Sequence, residues 1–178
     1  MTKTVLILFA HPAFQRSRAN RALLDAVRDL DGVTVHDLYE LYPDMLIDAP
    51  REQELLTQHD AIVLQHPLYW YSTPALLKEW QDLVLENGWA YGEGGHALRG
   101  KIWMHALTAG GREDSYDKDG YNRFSIEELL TPLQATAHLC GMQWRAPYVL
   151  HASRTSSEAS LKTAAAGYRA RILALQRH

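Results

Sequence analysis

The sequence predicts an α/β chain on a five-stranded parallel sheet, doubly wound, with strand order 2-1-3-4-5 and helices on both faces. Near-continuous apolar runs such as "TVLILFAH" and "AIVLQH" recur along it, and such runs mark strands covered on both faces. Segments with apolar residues at helical spacing separate them, and strands alternating with helices imply parallel pairing. For five such strands the doubly wound order is the natural arrangement.

Each element carries its own signal. "TVLILFAH" is the first strand, and Ser17 caps a helix whose Ala22, Leu23, Ala26, Val27 and Leu30 share a face until Gly32 stops it. "VTVHDL" alternates as the second strand. Asp48 and Pro50 open a short helix through "REQELL", and "AIVLQH" is the third strand. Thr73 as cap and Pro74 in the first turn start the helix "ALLKEWQDLVL". Residues 86–100 form a Gly-rich loop carrying Trp89 and Tyr91, and "KIWMHAL" is a fourth strand ending at "TAGG". Ser125 and Glu128 stand at capping-box spacing, so a helix runs from there to Gly141, kinked or delayed by Pro132. The fifth strand covers Trp144 to His151. The last helix sets Leu161, Ala165, Tyr168, Ile172 and Leu175 on one face.

Composition narrows the function classes. At 178 residues the chain is expected to form one domain across 1–178. A net charge of −3, from 18 basic and 21 acidic residues, excludes a typical nucleic-acid binder. A single cysteine, Cys140, permits no internal disulfide, fits a reducing cytoplasm, and sits on an apolar helical stretch suited to packing. The apolar run before His11 is too short for a signal peptide or a membrane span, so a soluble cytoplasmic protein is expected. Neither Walker A, Gly-x-Gly-x-x-Gly nor Gly-x-Ser-x-Gly occurs, and the histidines show no metal-ligand spacing.

In a doubly wound sheet, ligands bind beyond the carboxyl ends of the strands where the order reverses. The loops there are "AHPAFQRSRAN", "HPLYWYSTP" and "LTAGGREDSY". The first offers His11, Ser17 and Asn20 at a helix start, whose free amides and dipole attract phosphate. The second places Tyr69, Trp70 and Tyr71 on a turn, a position that ordinarily takes Gly, Asn, Asp or Ser. One ring is expected to fold inward as core, and the others to stack on a flat ligand. The third brings Gly110 and Gly111, which let backbone approach a ligand closely. A phosphate seat, an aromatic wall and a glycine floor describe a pocket for flavin mononucleotide (FMN).

These loops, with "QHPLYWYSTPALLKEWQD", "GWAYGEGG", "VHDLYELYPDMLIDAPREQELL" and "DGYNRF", resemble the flavodoxin-like NAD(P)H:quinone oxidoreductases of the DT-diaphorase group. The nearest branch is the bacterial ancillary flavoproteins of glutathione-regulated potassium-efflux systems, and the likeness spans Val5 to about Ala152. The resemblance implies that His11, Ser17, Arg18, Ala19 and Asn20 hold the flavin phosphate. It places Leu68, Tyr69, Trp70 and Tyr71, with Pro67 before them, and Thr108, Ala109, Gly110 and Gly111 around the isoalloxazine ring. Tyr116 matches a tyrosine on the substrate side that helps stabilise the reduced flavin. Longer relatives also use a histidine six residues further on; here that position is Asn122, beside Tyr121, and "TAGG" stands where two threonines are frequent.

Two functions are implied. One is ping-pong reduction of a quinone by NAD(P)H through FMN (FAD being the alternative), in a homodimer with residues 89–95 as interface pieces. The other is docking on, and activation of, a potassium-efflux transporter at the inner face of the membrane.

Overall fold

The computed structural model of the chain describes residues 2–177. Five parallel strands, β1 (Val5–Phe9), β2 (Val33–Asp37), β3 (Ala61–Pro67), β4 (Ile102–Thr108) and β5 (Gln143–Leu150), lie in the order β2-β1-β3-β4-β5. Every residue of β1, β3 and β4 is buried, as their apolar runs require. Alternate strand residues feed two cores. Leu6, Leu8, Ile62, Leu64 and Trp103 meet Trp80 on one face, and Val5, Ile7, Phe9, Val63 and Met104 meet Tyr168 and Ile172 on the other. The edge strand β5 carries Pro147, and its pairing with β4 slips between Met104 and Ala106, a bulge that accommodates the missing N–H.

The described residues hold seven α-helices, the last of them following β5: α1 (Arg18–Asp25), α2 (Leu38–Leu41), α3 (Ala49–Thr57), α4 (Ala75–Val84), α5 (Ile126–Leu129), α6 (Thr131–Leu139) and α7 (Glu158–Arg177). Five depart from expectation. α1 ends at Asp25, and the stretch to Leu30 tightens into turns such as Leu30 N–H to the Val27 carbonyl. Asp37, read as strand, accepts the amides of Tyr39 and Glu40 and caps α2, which the sequence reading missed. Pro74 itself is the N-cap of α4, so Thr73 caps nothing and its buried hydroxyl has no partner. The Ser125–Glu128 capping box is present, but α5 stops at Leu129 and α6 restarts around Pro132, whose ring would strike the Glu128 carbonyl in one continuous helix.

Trp89 and Tyr91, expected at an interface, pack partly buried against the Trp80 core. Glu52 of α3 is fully buried there and accepts from His36 Nε2 (2.8 Å), Tyr42 hydroxyl (2.6 Å) and Trp80 Nε1 (2.8 Å). Among the described residues no helix is long and apolar enough to cross a membrane.

Candidate functional site

The register sets Phe9 beside Gln65 and Pro67 beside Thr108, so the loops leaving β1, β3 and β4 emerge together. They enclose a cavity of about 490 Å³. His11, Ser17, Arg18 and Ala19 line it from the first loop, Pro67, Leu68 and Tyr69 from the second, and Thr108 and Gly110 from the third.

The first loop is organised by local hydrogen bonds. Ala13 N–H donates to His11 Nδ1 at 3.0 Å, so that nitrogen is bare and a neutral ring carries its proton on Nε2. Burial pushes the His11 imidazole below its ordinary pKa, which keeps it neutral. Ser17 Oγ caps α1, accepting from the Asn20 amide (3.2 Å) and from Asn20 Nδ2 (3.1 Å). The amides of Arg18 and Ala19 ahead of it have no internal partner among the described residues, as the first turn of a helix leaves them. Asn20 lies beneath the cavity instead of on it, and its Nδ2 crosses to Thr108 Oγ1 at 2.9 Å. We expect Ser17→Ala to cost about 1 kcal/mol of folding stability, the ordinary worth of a cap hydroxyl, read as a shift in urea midpoint.

The second loop explains the three rings. Tyr69 and Ser72 exchange both backbone hydrogen bonds, at 3.0 and 2.9 Å, across a two-residue turn. Its central residues, Trp70 and Tyr71, have φ of 48° and 64°. Positive φ at both positions is the geometry for which hairpins use Asn-Gly. Holding two bulky residues there costs of order 1–3 kcal/mol each, and such strain clusters at ligand clamps. No ring folds into the core. Tyr69, Trp70 and Tyr71 are 38%, 93% and 46% exposed, which corrects the expectation that one would be buried. The turn is too tight to return a side chain inward; instead Tyr71 hydroxyl donates to Asn122 Oδ1 at 3.1 Å, reaching the loop after β4.

The third loop is laced to the end of β5. Ala109 N–H donates to the Leu150 carbonyl, Ser153 N–H to that of Ala109, and Ala152 N–H to that of Gly111. Ala109 is fully buried and presents no side chain to the cavity. A Cβ on Gly110 would meet only Arg154 Nε, at 3.7 Å, whereas one on Gly111 would lie 3.0 Å from the Tyr116 ring. Gly110 therefore leaves open space at the cavity wall, and Gly111 makes room for Tyr116. Tyr116 faces a separate cavity with Arg112, Glu113 and Asp117 and packs on its other side against His151, ring centres 5.6 Å apart.

Ala13, Arg16, Ser153 and Arg154 also line this cavity and escaped the sequence reading. The only available signal was position: Ser153 and Arg154 follow β5, whose outgoing loop lies one strand beyond the switch point. Among the described residues none of Arg16, Arg18 and Arg154 is paired with a carboxylate. Three unpaired guanidinium groups and a helix start suit an anionic group. The amides of Trp70, Tyr71, Gly110 and Gly111 likewise have no internal acceptor among the described residues. Of these four residues only Gly110 lines the cavity, with Trp70, Tyr71 and Gly111 beside it; the free donors, exposed rings and open glycine wall fit a flat, phosphorylated cofactor.

Fold and site define the class: the chain belongs to the flavodoxin-like fold family, whose model matches residues 3–172. Its close homologues are potassium-efflux ancillary proteins. It is 50% identical over 167 residues to the glutathione-regulated potassium-efflux system ancillary protein KefG of Enterobacter sp. (strain 638), covering 94% of this chain and 91% of that protein. General stress protein 14 of Treponema denticola, crystallised in complex with FMN, is 40% identical with a TM-score of 0.92, covering 97% of this chain and 99% of that one. An NADPH-quinone reductase from P. pentosaceus is 30% identical with a TM-score of 0.87, covering 94% and 96%.

Proposed function

We propose that this chain is an FMN-dependent oxidoreductase that reduces quinones with NAD(P)H by ping-pong transfer, working as a homodimer in the cytoplasm. The observation that carries this reading is the convergence of Tyr69, at the edge of the strained turn, the open wall at Gly110 and the free start of α1 on one cavity. The FMN complex of the Treponema denticola protein and the reductase description of the P. pentosaceus protein support it. When bound, FMN supplies hydride acceptance from NAD(P)H and two-electron delivery to a quinone.

The chain's own residues divide the remaining work. The amides of Arg18 and Ala19, with Arg16, Arg18 and Arg154, hold the phosphate, and neutral His11 offers Nε2–H beside it. The amides of Trp70, Tyr71, Gly110 and Gly111 supply fixed donors to the ring edge, where dipoles held in place stabilise negative charge. Trp70 and Tyr69 limit water at the ring faces. Tyr116, half-buried over Gly111, presents a phenol on the substrate side. Asn122 is engaged by Tyr71, so it fixes a loop and moves no proton.

The second reading is an ancillary subunit that docks on a glutathione-gated potassium-efflux transporter, at the inner face of the membrane. It is favoured by 50% identity to a glutathione-regulated potassium-efflux system ancillary protein. Purification separates the two. A yellow protein that NADH bleaches and a quinone restores supports the enzyme; colourless protein that fails to quench FMN fluorescence ends that reading. Efflux reconstituted with a Trp70→Ala, Tyr71→Ala variant then shows whether gating needs the flavin.

A further inference from the structure

Behind the aromatic turn lies a polar chain that the proposed mechanism does not use. Trp103, His66 and His105 are fully buried in adjacent strands. Trp103 Nε1 lies 2.9 Å from His105 Nε2, His105 Nδ1 lies 3.0 Å from His66 Nε2, and His66 Nδ1 lies 3.0 Å from the Pro67 carbonyl oxygen. The two ends fix every proton between them. An indole N–H only donates, so His105 Nε2 is bare. Neutral His105 therefore carries its proton on Nδ1 and donates to His66 Nε2. Neutral His66 then carries its proton on Nδ1, where the Pro67 carbonyl, which only accepts, receives it. Burial lowers the pKa of both rings, His66 to about 4, so both are neutral near pH 7.

We propose that His66 and His105 are positioning residues for the cofactor turn, acting through the peptide between Pro67 and Leu68. That peptide is held on both sides: its oxygen accepts from His66, and Leu68 N–H donates to the Thr108 carbonyl at 2.9 Å. One residue later the backbone enters the strained turn at 69–72. Two left-handed aromatic residues persist only where the surroundings over-determine them, and the clamped peptide is the last fixed point before the strain. Apolar rings would fill the same volume without the cost of burying two imidazoles. The directed line of donors ending on the main chain is what apolar rings cannot supply. This inference rests on reading the turn as a cofactor wall.

Ring-nitrogen NMR of the wild-type chain tests the line directly. Protonated Nδ1 and bare Nε2 on both histidines are expected; the opposite tautomer on either one overturns it. In His66→Phe we expect the Leu68, Tyr69 and Ser72 amides to exchange hydrogen about tenfold faster while Val63 and Met104 stay protected. FMN should also bind about tenfold more weakly. Faster exchange spread evenly over β3 and β4 would mean mere packing and overturn the inference, as would unchanged turn amides. Should that variant not fold, Trp103→Phe removes the first donor and must lower turn protection by a smaller factor; no change there also overturns it. If wild-type protein binds no FMN while the turn amides respond as stated, the positioning role stands and the flavin reading falls.

Discussion

On the proposed FMN site, Gly110→Val is expected to weaken FMN binding roughly ten- to hundredfold and to leave the folded chain as stable as before. A Cβ at this position has only Arg154 Nε within 4 Å, and a flexible guanidinium can yield. The backbone there is outside the left-handed region, so valine brings no conformational penalty of its own. The added methyl groups instead occupy the wall against which a flat ring must lie. Overpacking of a fitted site costs about 1–3 kcal/mol, which is roughly a ten- to hundredfold loss of affinity. A flavin-quenching titration beside a urea melt reads the two quantities separately. The neighbouring glycine makes the contrast. At Gly111 a Cβ would sit 3.0 Å from Tyr116 Cε2, so valine there displaces the Tyr116 ring first. Unchanged FMN affinity in Gly110→Val would remove the third loop from the cofactor site.

The sheet was legible because β1, β3 and β4 must be apolar on both faces, a pattern few other structures demand. Helix ends were less so. The division at Pro132 turns on one ring clash and the short helix after Asp37 on one side-chain cap, while periodicity over four residues of α2 is too brief to register. The three loops could be brought together from topology alone, since strand order decides which carboxyl ends are neighbours. Their internal bonding could not. That Asn20 would reach Thr108, 88 residues away, depends on a register known only once β1, β3 and β4 are paired. The aromatic triplet announced a special turn by its unsuitability, yet not that its two central residues would sit at positive φ with every ring exposed. His66 and His105 read as two unrelated histidines until the pairing of β3 with β4 set them side by side.

Acid should destabilise this chain over two pH ranges, and Glu52 contributes to the lower one. Burial pushes the Glu52 carboxyl up, but donors from His36, Tyr42 and Trp80 more than offset it and leave it below its ordinary pKa. A group depressed in the folded state stabilises fully above its unfolded pKa, and that stability disappears as pH falls through the folded value. His66 acts earlier. Its folded pKa is about 4 against an ordinary 6.5, so the unfolded chain takes up a proton that the folded chain refuses. Stability therefore declines between those values, by about 3 kcal/mol at about 1.4 kcal/mol per unit. Glu52→Gln isolates the carboxylate. An amide offers one acceptor oxygen and turns an NH2 group toward donors, so at least one of Tyr42 hydroxyl, Trp80 Nε1 and His36 Nε2 is left facing a donor. Breaking one partner of a buried charged network costs about 3–5 kcal/mol, and the loss should be largest near neutral pH, where wild-type Glu52 is ionised. Urea melts of both proteins from pH 7 to pH 3 should draw closer together as the wild-type carboxyl protonates. Curves that stay parallel would place the worth of Glu52 in its shape and not in its charge.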